Sequence, residues 1–270
     1  PGRGEHYVPV AVTALGSLAY MAGGSSPDRG PHGRELAQAI DYLLARADRK
    51  PGSDRLGYVS ADGDNHSRMH GQGFPTLALA QAYSMSPRTA RGARTEEVLR
   101  LAVSLIERSQ GPDGGWYYDP RASFEHENSV TITMIQALRG ARNAGLSVSD
   151  RVVAKAIDYI ERCQNEDGSF RYALDRETSS VALTAAGIAM WNSIGRYEGP
   201  AIDRAVDWLW RELVALEDAG GRSTVKHPFY ERFYVAQALW QNPDARLFER
   251  WATAERDRVV AAQRPDGSWQ

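Results

Sequence analysis

The chain has 270 residues, enough for one large core, since a domain of that size buries roughly three quarters of the surface its unfolded chain exposes. With 42% hydrophobic and 24% charged residues the composition is that of a globular protein, which excludes a disordered or fibrous chain. A net charge of −2 gives no electrostatic reason to expect nucleic acid, and the lone Cys163 excludes an intrachain disulfide framework and any multi-cysteine zinc site.

From the N-terminus onward, helical segments alternate between two kinds. Tyr7–Ala22 is charge-free, and Arg34–Arg49 mixes charges with an apolar stripe. The same pairing recurs in Gly73–Met85 with Arg94–Arg108, Ser129–Leu138 with Asp150–Arg162, Ser179–Ile194 with Asp203–Glu217, and Phe233–Trp240 with Arg246–Arg258. A helix apolar on all sides is surrounded by protein, whereas a striped helix faces solvent. The pattern therefore predicts five hairpins, each an inner helix followed by an outer one. The outer helices repeat one phrase: Ala39-Ile40-Asp41-Tyr42-Leu43, Ala156-Ile157-Asp158-Tyr159-Ile160 and Ala205-Val206-Asp207-Trp208-Leu209. No strand alternation survives over a useful length, so the fold class is all-α. Residues 7–27 carry no charge, but Pro9, Gly16, Ser17 and Gly23-Gly24-Ser25-Ser26 make a poor membrane span, and no transmembrane span is expected.

Three segments read Q-x-x-D-G-[GS]-[WF]: Gln110–Trp116, Gln164–Phe170 and Gln263–Trp269. The second starts 54 residues after the first and the third 99 after the second, close to two periods of about fifty, the mark of stacked supersecondary units. Gly114, Gly168 and Gly267 are expected to supply the positive-φ residue that ends an outer helix. The preceding Asp favours the turn. Trp116, Phe170 and Trp269 offer apolar wedges between hairpins, and Gln110, Gln164 and Gln263 can bond exposed backbone. Charge-free inner helices are best explained if they converge, which predicts a closed α/α toroid of five, or six, hairpins as one domain over 1–270.

These motifs resemble the QW-type repeat of the terpenoid cyclase and protein prenyltransferase superfamily. Gly73–Tyr83 and Ala141–Leu146 are similar to the short bacterial prenyltransferase and squalene oxidase repeat proteins. The resemblance implies an α/α toroid with a central cavity. It implies chemistry less directly, since one fold hosts many functions.

His6, His66, His70, His126 and His227 all fall just before or at the start of a predicted inner helix, beside Glu5, Tyr7, Asp62, Asp64, Glu125, Glu127, Tyr230 and Glu231. If inner helices run parallel around a ring, their N-termini share one polar mouth, where exposed N–H donors favour anionic groups. Candidate catalytic residues are therefore Asp64, Asp62, His126 and Glu127; candidate ligand-binding residues are His6, Tyr7, His66, His70, His227, Tyr230 and Glu231. The resemblance adds that a class II terpene cyclase protonates an alkene with the Asp of a D-x-D-D motif. Asp62-Gly63-Asp64-Asn65 matches three of its four positions, and its flanking Gly and Asn predict a wet loop. Gly71 and Gly73 predict that no regular helix carries His66 and His70 together, and Cys163 lies away from the mouth; no metal and no cofactor is expected.

The leading expectation is a cyclase- or prenyltransferase-like toroid binding a hydrophobic or isoprenoid small molecule in a central cavity. The alternatives are a non-catalytic scaffold presenting its mouth to a protein, peptide or glycan, and a polysaccharide-lyase-like enzyme. A deep dry pocket would favour isoprenoids and a shallow wet groove glycans. A centre plugged by Met134, Met190, Trp191 or Phe233 would favour the scaffold.

Overall fold

A computed structural model describes residues 8–64, 66–218 and 227–269. Ten helices and one two-stranded sheet account for the regular structure among them. Helices α1 (Pro9–Ala22), α2 (Gly33–Ala45), α3 (His70–Met85), α4 (Ala90–Arg108), α5 (Asn128–Asn143) and α6 (Asp150–Arg162) fall in one compact unit, Pro1–Arg162. The second unit, Cys163–Gln270, holds β1 (Arg171–Ala173), β2 (Arg176–Ser179), α7 (Val181–Ser193), α8 (Pro200–Asp218), α9 (Pro228–Trp240) and α10 (Ala245–Ala261). The chain is mostly helical, as the alternating pattern predicts. The short antiparallel pair β1–β2, unseen in the sequence pattern, pairs Arg171 with Ser179 and Ala173 with Arg176 between the second Q-x-x-D-G segment and α7.

In the first unit the charge-free helix α3 packs against α1, α5 and α4. Its first half is almost wholly buried: Phe74 joins Gly71, Gln72, Gly73, Pro75 and Thr76 out of solvent, and Ala78, Leu79 and Ala82 follow in the second. Helix α3 begins at His70, three residues ahead of the charge-free run, with Gly71 and Gly73 inside it. A side chain at Gly73 would sit 2.3 Å from Thr133 Cγ2 and 2.7 Å from Met134 Cε of α5. The glycine is a contact surface between two helices, and the surrounding packing outweighs its cost of roughly 1 kcal/mol in a helix interior. In the second unit α7 packs on α8 and α9, with Met190 and Trp191 buried.

Helix starts follow local chemistry. Thr89 caps α4 by accepting from Gly92 N at 2.9 Å, Ser180 caps α7 by accepting from Leu183 N, and Pro9 and Pro228 open α1 and α9 where no N–H is needed. Two expectations fail at the ends of the chain. Charge-free α1 exposes Val12 and Tyr20, so lack of charge does not enclose it. Helix α10, read as an outer helix with a buried stripe, has no buried residue at all. Helix α9 starts five residues earlier than the charge-free run and thereby includes Glu231 and Arg232.

Candidate functional site

The best-connected polar cluster lies in the first unit, where α3 and α5 start. Glu127, fully buried, is the N-cap of α5: its carboxylate accepts from Ser129 N at 3.0 Å and Val130 N at 2.8 Å. An acidic group there satisfies orphan donors and meets the positive end of the helix dipole. Ser129 Oγ donates to Glu127 Oε2 at 2.7 Å and lies 3.0 Å from His70 Nε2, at the first residue of α3. Residues 59 apart in sequence thus form one chain, His70–Ser129–Glu127. It can pass a proton between a half-buried imidazole and a buried carboxylate through a hydroxyl.

The first Q-x-x-D-G segment fixes this arrangement from below. Glu127 N donates to Trp116 O at 2.9 Å, and Thr131 Oγ1 accepts from Trp116 N at 3.0 Å while donating to Glu127 O at 2.8 Å. Two residues after Trp116, Tyr118 turns back to α3: Met69 N donates to its carbonyl, and its ring lies 6.0 Å from that of His70.

Tyr118 also walls an open cleft of about 470 Å³ lined by Arg55, Tyr58, Asp62, Asp64, Arg68 and Asp119 among others. Arg68 sits 5.2 Å over the Tyr118 ring and pairs with Asp119 at 3.0 Å. It does so from a left-handed backbone, φ 47°, which costs a non-glycine residue of order 1 kcal/mol and clusters at functional sites. Burial pushes the Tyr58 phenol up to about 12, with Arg55 opposing that rise.

Asp62 and Asp64 do line this cleft, in a turn six or more residues ahead of α3, where Gly63 takes φ 80°. Asp62 is exposed. Both oxygens of Asp64 accept from Ser67, at 2.8 Å from its N–H and 2.6 Å from its hydroxyl. His66 is exposed outside α3, so it shares no helix turn with His70. His126 Nδ1 pairs at 3.0 Å with Tyr159 Oη of α6, an outer helix. In the second unit His227 is an exposed N-cap that makes no side-chain cap bond, Tyr230 stacks edge-on against Tyr234, and Glu231 lines a small cavity of about 60 Å³ with Arg232, Trp251 and Glu255. His6 and Tyr7 lie outside the described residues.

Sequence reasoning missed Arg55, Tyr58, Arg68, Tyr118 and Asp119. One signal was available: Tyr117-Tyr118-Asp119-Pro120 directly follows the Trp116 of a motif that precedes an inner helix. Among the described residues no group of three or more His, Cys, Asp or Glu could hold a metal ion, and no helix is long and apolar enough to cross a membrane.

Compared with known proteins, the chain is similar to squalene–hopene cyclase of Bradyrhizobium diazoefficiens, 26% identical over 140 residues that cover 48% of this chain and 20% of that protein. The chain spans about a fifth of the length of the curated relative it matches. No protein-family model matches it. At that distance the likeness reaches as far as a terpenoid-cyclase-like superfamily, in keeping with the mostly helical fold.

Proposed function

We propose that this chain is a terpenoid-cyclase-like helical-hairpin protein, closed as one α/α toroid over 1–270, that acts as a binding scaffold through the cleft ahead of α3, between residues 55–64, Arg68 and Tyr118-Asp119-Pro120. The ligand class that fits is hydroxyl-rich, a glycan foremost. The observation carrying this reading is the cleft itself: open, and walled by Tyr58 and Tyr118 with Arg55, Arg68, Asp62 and Asp64. Guanidinium groups laid over tyrosine rings, Arg55 over Tyr58 and Arg68 over Tyr118, with carboxylates beside them suit hydroxyl recognition. Acid catalysis by Asp64 has less support, because both of its oxygens accept from Ser67, which suits a carboxylate rather than a protonated acid. Met134, Met190 and Trp191 are buried, each within its own unit, which favours binding at a mouth over a deep cavity.

The likeness to a squalene–hopene cyclase favours a second reading, an isoprenoid ligand. Calorimetric titration with a panel of oligosaccharides and with a polyprenyl alcohol in detergent separates the two. Glycan binding weakened about tenfold or more by Tyr118→Ala and Arg68→Ala supports the cleft reading. Polyprenol binding that ignores both substitutions moves the function to an apolar cavity.

A further inference from the structure

The repeated phrase on the outer helices puts a carboxylate at one position: Asp41 on α2, Asp158 on α6 and Asp207 on α8. Two of the three are neutralised. Arg91 of α4 lays its fork on Asp41, Nε donating to Oδ1 at 3.2 Å and Nη2 to Oδ2 at 3.1 Å, and Arg94 adds a bond of 2.8 Å. The same Arg91 pairs with Asp28 of the α1–α2 turn. Asp158 pairs at 3.0 Å with Arg162, one turn further along its own helix. Among the described residues, Asp207 pairs with no cation.

The next outer helix explains the difference. Arg91 and Arg94 lie 19 and 16 residues before Gln110, which opens the motif after α4. At 19 and 16 residues before Gln263, which opens the motif after α10, stand Asp244 and Leu247. Where α4 offers two guanidinium groups to α2, α10 offers α8 a carboxylate and an apolar branch. The space left between the helices differs to match. Beside Arg91, Asp28 and Ile40 a cavity of about 30 Å³ remains, whereas the cleft beside Asp207 holds about 440 Å³.

Glu198, Asp203, Asp207 and Asp244 line that cleft, and among the described residues Asp244 alone of the four has an ion-pair partner, Arg246 at 2.8 Å. Asp203 and Asp207 stand one helical turn apart, a spacing at which like charges repel. The apolar wall is made by Ile202, Val206, Leu247 and the rings of Tyr197 and Trp210. Arg250 lies 5.3 Å over the Trp210 ring but is spent on Glu217 at 3.0 Å, and Tyr197 is 47% exposed. Uncompensated carboxylates beside an open aromatic face complement a guanidinium, which forks onto carboxylates, stacks on rings and is weakly hydrated.

We propose that this cleft, between the α7–α8 turn, α8 and the start of α10, binds an arginine side chain of a peptide partner. The guanidinium takes Asp207 and a second carboxylate of the cleft, as Arg91 takes Asp41 and Asp28 in the first unit. An apolar residue next to that arginine covers Leu247 and Tyr197.

Fluorescence anisotropy tests this with a labelled hexapeptide in which one arginine precedes a leucine among glycines, and with its citrulline counterpart, which keeps the shape and loses the charge. The arginine peptide binds, and the citrulline peptide binds about tenfold or more weakly. Asp207→Asn weakens binding of the arginine peptide to the same degree, whereas Asp158→Asn, at a carboxylate already paired on its own helix, leaves it unchanged. Leu247→Arg puts a guanidinium where Arg94 stands on α4, fills the cleft from within and abolishes peptide binding. If Leu247→Arg loses helix by circular dichroism, Asp203→Asn takes its place, with a several-fold loss expected. No binding of the arginine peptide at about 1 mM protein, equal binding of the two peptides, or binding that survives both substitutions overturns the proposal.

Discussion

The first two Q-x-x-D-G turns and the third differ in surroundings far more than in sequence. All three close on themselves with the same internal bonds, yet Trp116 and Phe170 lie out of water while Trp269 does not. Local sequence sets the turn; the neighbouring helix sets what the turn contributes to stability. Trp116 Nε1 donates to Ile106 O at 2.8 Å and Trp269 Nε1 to Val259 O at 2.7 Å, each ten residues back. Even the indole anchor is therefore the same, and burial is the variable.

Substitution of the aromatic residue breaks the comparison most sharply. Trp116→Ala removes a fully buried indole and is expected to cost about 4 kcal/mol in chemical denaturation. Trp269→Ala should cost about 1 kcal/mol, because much of that ring is already wet. Equal losses would mean that the third turn is buried in solution. The glycine pair follows. Gly168→Ala combines a positive φ with a clash against a helix carbonyl and is expected to cost about 3 kcal/mol. Gly267→Ala meets only the φ penalty, about 1 kcal/mol.

A smaller effect probes what the first turn supports. Glu127→Gln keeps the shape of the α5 cap and removes its charge, so about 1–2 kcal/mol should be lost. The imidazole resonances of His70 should move with it, since Ser129 links the two side chains. An unmoved His70 signal would show that the chain through Ser129 is not intact in solution.

The alternation of charge-free and striped segments was enough to place ten helices, with most boundaries right to a few residues, because burial demands that pattern locally. It started the third helix at Gly73, three residues late, because the value of Gly73 lies in a partner helix that no local window contains. It over-buried α1 and α10 for the same reason: an apolar stripe states what could be covered, not what is. The site was legible in part. His70 and Glu127 stand out as a histidine and a carboxylate at helix starts, but the bond through Ser129 spans 59 residues. Arg68 was invisible because its left-handed backbone and its place over Tyr118 depend on tertiary contacts.

The smallest expected effect tests the claim that the turn is local. The Ser169 hydroxyl and backbone N–H hold the Asp167 carboxyl below its ordinary value of 3.8, with burial opposing, and Ser268 does the same for Asp266. A carboxylate whose folded-state value is depressed adds stability above the unfolded value and loses it as pH falls through the folded one. Both turns should therefore weaken below about pH 4, packed against a helix or not. Asp167→Asn and Asp266→Asn should each flatten that acid limb in stability measured against pH, by small and similar amounts. A flattening confined to Asp167→Asn would tie the depression to the contact that Gln164 and Gly168 make with α8, where Trp208 also bonds Asp167, and not to the turn.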